Sequence, residues 1–241
     1  MNMKKILLLL AIIVSSMTVH AKTLVVYYSY TNNVHTIVSE LVKQINADVL
    51  RIEPAQKGLD YEANNYAIGS AQIAAIRENP GHETSYPAID PTDVNLAQYD
   101  CIIIGAPLWW SNMAAPLQTY LFKNGGTMAG KKIGLIVSSY SSGINGVESD
   151  AQRLIPDGDF FDRSLWIRSS QTSNSASLLR QWLKDIDYET VAGMDDTVAA
   201  NEPDSYTVFS VNGSLLAQNA STLHNLEGGL YIINGKKTYI K

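Results

Sequence analysis

The chain has 241 residues, 46% of them hydrophobic, a formal net charge of -5 and one cysteine. That length and apolar content suffice for one well-buried core with an appendage. The acidic balance argues against a nucleic-acid partner, and a single Cys excludes an internal disulfide, a CxxC redox pair and a cysteine-based metal site.

Met1 to Lys5 supply a positive segment, Ile6 to Val14 an apolar run and Val19-His20-Ala21 a small-residue cleavage site, the pattern of a secretory signal peptide over residues 1–21. The run is shorter than the roughly 20 residues a spanning helix needs, and no Cys follows it to carry a lipid, so no stable membrane anchor is expected. Export to the periplasm or cell surface is the expectation. Removing Lys4 and Lys5 with the leader takes the net charge from -5 to -7. That acidity suits solubility and also docking to a basic redox protein.

Leu24 to Tyr28 is a continuous apolar, β-branched and aromatic run, as a strand buried on both faces requires. Val34, Ile37, Val38, Leu41, Val42 and Ile45 recur at helical spacing, so a helix starts at about Val34. Between them Ser29, Tyr30, Thr31, Asn32 and Asn33 bring hydroxyls, amides and the free N–H groups of a helix N-terminus into one volume. That is an anion site for which phosphate is the natural guest, or, on a plainer reading, only a helix cap. Ala47 to Glu53 reads as the second strand. Asp60 to Asn79 reads as a helix-containing insertion stopped by Asn79-Pro80-Gly81.

Asp100 to Gly105 is a third buried strand, with Cys101 as a small core residue inside it. Ala106, Pro107, Leu108, Trp109 and Trp110 then read as a loop, since Pro107 precedes the two Trp residues and Ser111-Asn112 follow them; a helix opens at Ala115-Pro116. Paired Trp residues at the carboxyl end of a parallel strand sit where open α/β sheets bind ligands, which favours a flat aromatic ligand over core packing. Ile133 to Ser138 is a fourth strand, followed by a polar loop, Ser139, Tyr140, Ser141, Ser142, Gly143 and on to Gly146, that would close the other side of the crevice. Val147, Ala151, Leu154 and Ile155 give a short helix, Leu165 to Ile167 a fifth strand, and Leu178 to Ile186 a last helix after Ser175. Strands alternating with helices imply a doubly wound parallel sheet. The histidines, His20, His35, His82 and His224, show no ligand spacing.

With Ser29 to Val34, Gly105-Ala106-Pro107-Leu108-Trp109-Trp110 and Ser139 to Gly143 in this order, the chain over about residues 23–187 resembles the flavodoxin family in its bacterial flavodoxin-like branch. Asn32 stands where that family usually has Gly, and Val34 where it has Thr. The resemblance implies a five-stranded sheet of order 2-1-3-4-5 and FMN as cofactor. Its phosphate would lie on Ser29 to Val34, its ring against Trp109, Trp110 and Tyr140, and its polar edge against the backbone near Pro107, Leu108 and Ser139 to Ser142. The Asp60–Asn79 insertion would cover part of the crevice. It implies electron transfer to a redox protein or reduction of a small acceptor, with no residue required as general acid or base. A flavodoxin fold without redox activity, serving as a binding module, is the alternative.

The helical pattern of the main domain, residues 22–189, ends at about 190. Asp195-Asp196 and Asn201 to Asp204 then form a polar linker. Beyond it, Asn212-Gly213 and Asn234-Gly235 each separate alternating apolar runs, the signal of two-residue hairpins, so residues 190–241 are expected to hold a small β module. Gly228 to Lys237 with Ile240-Lys241 resembles the sorting domain of type IX secretion substrates; a β appendage of the main domain is the other reading.

Overall fold

The structure, a computed structural model, describes residues 21–191, 206–210, 214–220, 226, 229–233 and 236–240. The leader through His20, the linker at Asn201 to Asp204 and both Asn-Gly turns lie outside the described residues. The chain divides into two compact units between Met194 and Asp195.

In the first unit, parallel strands β1 (Thr23–Tyr27), β2 (Ala47–Arg51), β3 (Cys101–Trp109) and β5 (Lys132–Ser139) lie in the order β2-β1-β3-β5, β4 being the short strand Asn112–Met113 that folds back on β3. The place of the fifth strand is shared by two pieces, β6 (Asp159–Phe160) and β7 (Leu165–Arg168), both parallel to β5. The expected order is therefore present, with a two-residue segment added that is too short to show a period. The helices are α1 (Asn33–Leu41), α2 (Ala63–Glu78), α3 (Ala115–Asn124), α4 (Asn145–Leu154), α5 (Ser175–Asp185) and the single turn α6 (Tyr188–Val191).

Burial on both faces explains why these strands read as unbroken apolar runs. Successive side chains of a strand point to opposite faces, so Leu24, Val26, Tyr28, Ile102 and Ile104 enter one core with residues of α2, α3 and α4. Val25, Tyr27, Cys101 and Ile103 enter a second with residues of α1 and α5. Helices thus cover both faces. Because β1 is flanked by β2 and β3, the chain reverses its winding there, and the loops leaving β1 and β3 stand side by side.

One expectation needs correction. Residues 106–109 are not loop: β3 continues to Trp109, with Ala106 and Pro107 paired to Val137 and Ser138 of β5 and Trp109 opposite Asn112 of β4. Pro107 has no N–H to contribute to a ladder, yet its carbonyl accepts the Ala114 N–H at 3.1 Å, so the strand keeps its pairing. Only Trp110 and Ser111 make the turn, and both have left-handed backbones, with φ 46° and 64°. This is the primed two-residue turn that matches strand twist, and Asn-Gly or Asp-Gly is its usual sequence.

The second unit is an antiparallel sheet of β8 (Tyr206–Ser210), β9 (Leu215–Ala220), β10 (Gly229–Ile233) and β11 (Lys236–Ile240) in the order β11-β10-β8-β9. Val208 and Ile233 are buried in it. Among the described residues, no helix is long and apolar enough to cross a membrane, and no His, Cys, Asp and Glu cluster could hold a metal ion.

Candidate functional site

The loop from β1 into α1 is built by backbone more than by side chains. Asn32, immediately before α1, takes φ 62°, the left-handed conformation that Asn tolerates and Gly adopts freely, and its carbonyl accepts the Thr36 N–H at 2.9 Å. Ser29, almost wholly buried, accepts the His35 N–H on Oγ at 3.2 Å. Among the described residues, the N–H groups of Thr31, Asn32, Asn33 and Val34 meet no protein acceptor, and they form the positive end of the helix dipole. The Val34 side chain is buried toward Gly105: a Cβ on that glycine would lie 3.1 Å from Val34 Cγ1. Val34 therefore offers only its backbone N–H to the loop. Around the loop, the Arg51 guanidinium donates to the Ser29 carbonyl at 3.2 Å, and the Tyr27 hydroxyl meets His35 Nδ1 at 2.7 Å.

The other half is aromatic. A cleft of about 260 Å³ opens beside the loop, and Tyr30 and Thr31 line it from that side. Leu108, Trp109 and Trp110 of the β3–β4 hairpin form a second wall, and Tyr61, Glu62, Tyr66 and Gly69 a third. Trp109 packs at 4.7 Å on Tyr61 and edge-on at 5.6 Å to Tyr28, while Tyr30 meets Tyr61 at 5.3 Å. Trp110, 40% exposed, leans on Gly69, where a Cβ would come within 3.0 Å of its ring. Asp60 joins the third wall to the first, accepting the Tyr30 hydroxyl at 3.3 Å and the Glu62 and Ala63 N–H groups at 2.9 and 3.1 Å. Just beyond it Asn64, Asn65 and Tyr66 all have left-handed backbones, with φ 50°, 55° and 63°, so the regular part of α2 begins after a left-handed turn.

The cleft is nearly neutral. Burial pushes the phenols of Tyr28 and Tyr61 up from their ordinary value, for Tyr61 against the partial offset of Gln72 and Tyr28 beside it. The Tyr61 hydroxyl is buried in the wall beside Gln72 and Tyr28. Glu62 is the only carboxylate among the lining residues.

The structure thus brings together Tyr30, Thr31, Leu108, Trp109 and Trp110, with Ser29, Asn32, Asn33 and Val34 continuing the loop and Pro107 one residue below the cleft in β3. It does not bring the third loop to the lining. Ser139 ends β5, buried, accepting the Trp166 indole N–H at 2.8 Å and donating to the Ser142 carbonyl at 2.8 Å. Tyr140 is 85% exposed, and Ser141, Ser142 and Gly143 are exposed with it. Tyr61, Glu62, Tyr66 and Gly69 are lining residues that the sequence marks only by their place in the Asp60–Asn79 insertion. The cluster of three tyrosines, Tyr30, Tyr61 and Tyr66, on either side of the second strand was the available signal.

A doubly wound sheet with unpaired main-chain N–H groups and an aromatic cleft at its reversal point is the arrangement in which α/β proteins hold nucleotides. A flavodoxin family model matches residues 22–186, and the chain belongs to that family, whose cofactor is FMN. Among solved structures, a putative flavoprotein from Bacteroides eggerthii is 24% identical, with 69% of this chain and 98% of that one covered and a TM-score of 0.55. One from Bacteroides uniformis is also 24% identical, with coverage of 68% and 99% and a TM-score of 0.55. A flavoprotein from Lactobacillus acidophilus in complex with FMN is 18% identical, with coverage of 65% and 99% and a TM-score of 0.51. These likenesses share the fold.

Proposed function

We propose that the protein binds FMN with its phosphate on the N–H groups of Thr31 to Val34 and its ring in the cleft of Trp109, Trp110, Tyr61 and Tyr66, and that it works as an electron carrier or flavin-dependent reductase. The observation that carries this reading is the junction at Tyr30 and Thr31, which belong both to the loop with unspent N–H donors and to the wall of the aromatic cleft. The residues fit the group. The cleft, at about 260 Å³, suits a flat ring system rather than a whole nucleotide, and the phosphate then falls outside it, where the helix dipole favours a dianion. Asn32 already holds the left-handed angle that the usual Gly would supply.

When bound, FMN supplies one- and two-electron chemistry, and the protein sets its orientation and surroundings. Trp109 is held by Tyr28 and Tyr61 and offers an aromatic face. Trp110 and Tyr66, half exposed, limit the approach of water from outside. The low polarity of these walls disfavours negative charge on a ring placed between them. Nothing in the lining need move a proton. Titration of residues 22–241 with FMN and with riboflavin tests the reading: FMN should bind about tenfold more tightly, because helix dipole and N–H donors act on phosphate alone. Equal affinities, or no binding of either, would refute it.

The same reading extends to location. The leader pattern of residues 1–21 supports export, and the resemblance of Gly228 to Lys241 supports sorting of the second unit to the cell surface, so a protein truncated after Met194 should bind FMN as the full chain does while accumulating elsewhere in its native host. Unchanged location would remove the sorting role, and lost FMN binding would make the second unit structural.

A further inference from the structure

The two residues that turn the β3–β4 hairpin occupy a conformation they do not favour. Left-handed backbones at Trp110 and Ser111, neither of them Gly, Asn or Asp, persist only where the surroundings over-determine them. Those surroundings form a closed polar network behind the cleft. From α2, Arg77 donates to the Trp110 carbonyl and, through Nε, to Asn112 Oδ1 at 2.7 Å. From α4, the buried Asp150 accepts Asn112 Nδ2 at 2.8 Å and the Met113 N–H at 2.9 Å on one oxygen, and Arg153 at 3.0 Å on the other. Arg153 also donates to Gln118 of α3 at 2.8 Å, and Gln118 returns to the hairpin by donating to the Met113 carbonyl at 2.7 Å. Finally, a Cβ on Gly146, in the first turn of α4, would lie 1.8 Å from the Ser111 carbonyl oxygen, so only glycine lets α4 stand this close.

We propose that Arg77 and Asp150 are positioning residues for the cofactor cleft: together they clamp the Trp110–Ser111 turn in its left-handed form and so fix how far the tryptophan wall stands from the wall carried by α2. The same helix supplies Gly69, against which the Trp110 ring rests, and Arg77, which grips the Trp110 carbonyl. One element thus touches the ring and the backbone of the same residue, and the cleft width follows from that helix. Neither Arg77 nor Asp150 lines the cleft, so each acts through the hairpin. The inference deepens the FMN reading above and rests on it.

The test uses the full chain carrying 5-fluorotryptophan at its four Trp positions, in parent, Arg77→Met, Arg77→Lys, Ser111→Gly and the Arg77→Met/Ser111→Gly double variant. Arg77→Met should weaken FMN about tenfold, chiefly by faster dissociation, because small misplacements of a binding wall cost on this scale. It should move the Trp109 and Trp110 fluorine resonances and leave those of Trp166 and Trp182 in place. Arg77→Lys, which keeps the charge but not the two-pronged contact, should fall between. Ser111→Gly removes the backbone penalty at one turn residue and should restore most of the affinity lost in Arg77→Met. A purely structural Arg77 would show neither the selective resonance shifts nor this rescue. Unchanged FMN affinity in Arg77→Met overturns the proposal, as does an affinity loss that Ser111→Gly leaves in full. If Arg77→Met does not fold, Arg77→Lys decides by the same two readouts. If the parent binds no flavin, the FMN reading has failed by itself. The clamp is then judged on the flavin-free protein, where unmoved Trp110 resonance in Arg77→Met overturns it.

Discussion

The two halves of the candidate site are made in opposite ways. The proposed phosphate side is one contiguous stretch, Ser29 to Val34, whose shape comes from a strand end, one left-handed Asn and a helix start. The aromatic side is assembled from three stretches far apart in sequence: Tyr30, the segment Tyr61 to Gly69, and the hairpin Leu108 to Trp110. Its geometry is enforced from behind by α2, α3 and α4. The first half is therefore robust to distant change and the second sensitive to it.

The largest contrast should appear on truncating the tryptophans. Trp109 is only partly exposed and contacts Tyr28, Tyr61 and Trp110, so Trp109→Ala should destabilise the fold by about 3 kcal/mol as well as abolish tight FMN binding. Chemical denaturation of the flavin-free variant measures the first effect separately from the second. A Trp109→Ala protein as stable as the parent would mean that the aromatic cluster is not a packed unit.

How far each half could be read from sequence follows the same division. The strands, the helices and the polar loop between β1 and α1 were legible because each is a local pattern: unbroken apolar runs for β1 and β3, a 3.6-residue period for α1, polar residues between them. The continuation of β3 through Pro107 to Trp109 was not, because Trp110-Ser111 carries none of the Asn-Gly signal of the turn it makes. Nor was the role of Gly69, which shows only when the ring of Trp110, far along the chain, is seen to rest on it. Tyr140, an aromatic in a polar loop at the same edge of the sheet, is exposed and does not line the cleft.

Alkaline pH should separate the halves next. Tyr28, buried behind the aromatic wall, has its phenol pushed up by burial, so the folded chain keeps a proton that the unfolded chain releases above about pH 10. Stability therefore falls as pH rises past that point, by about 1.4 kcal/mol per pH unit for such a group. Cys101, pushed up to about 12 by burial, adds a loss that begins near pH 9. Tyr28→Phe should make the stability profile above pH 10 less steep, the other buried phenols of Tyr61, Tyr120 and Tyr188 keeping the rest of the slope, and an unchanged slope would show that the wall opens to water before Tyr28 titrates.

Trp110→Ala should act on the ligand alone. The side chain is 40% exposed, so its loss should leave the unfolding midpoint nearly unchanged while weakening FMN about tenfold, the order expected for one aromatic stacking contact. Equal affinities for parent and variant would restrict the ring-facing wall to Trp109, Tyr61 and Tyr66.

The smallest effect, and the one that tests the other half, belongs to Ser29. Its hydroxyl accepts the His35 N–H at 3.2 Å and is buried, so it serves the helix as a cap. Ser29→Ala should cost about 1 kcal/mol of stability, the usual loss for a cap residue. The preference for FMN over riboflavin should nevertheless survive, because the N–H groups of Thr31 to Val34 that would meet the phosphate in the proposed site are main-chain donors the substitution leaves intact. Parallel titrations of parent and variant with both flavins decide between a backbone and a side-chain phosphate site. If the preference collapses while the fold holds, the Ser29 hydroxyl itself carries the phosphate, and the loop depends on its side chains after all.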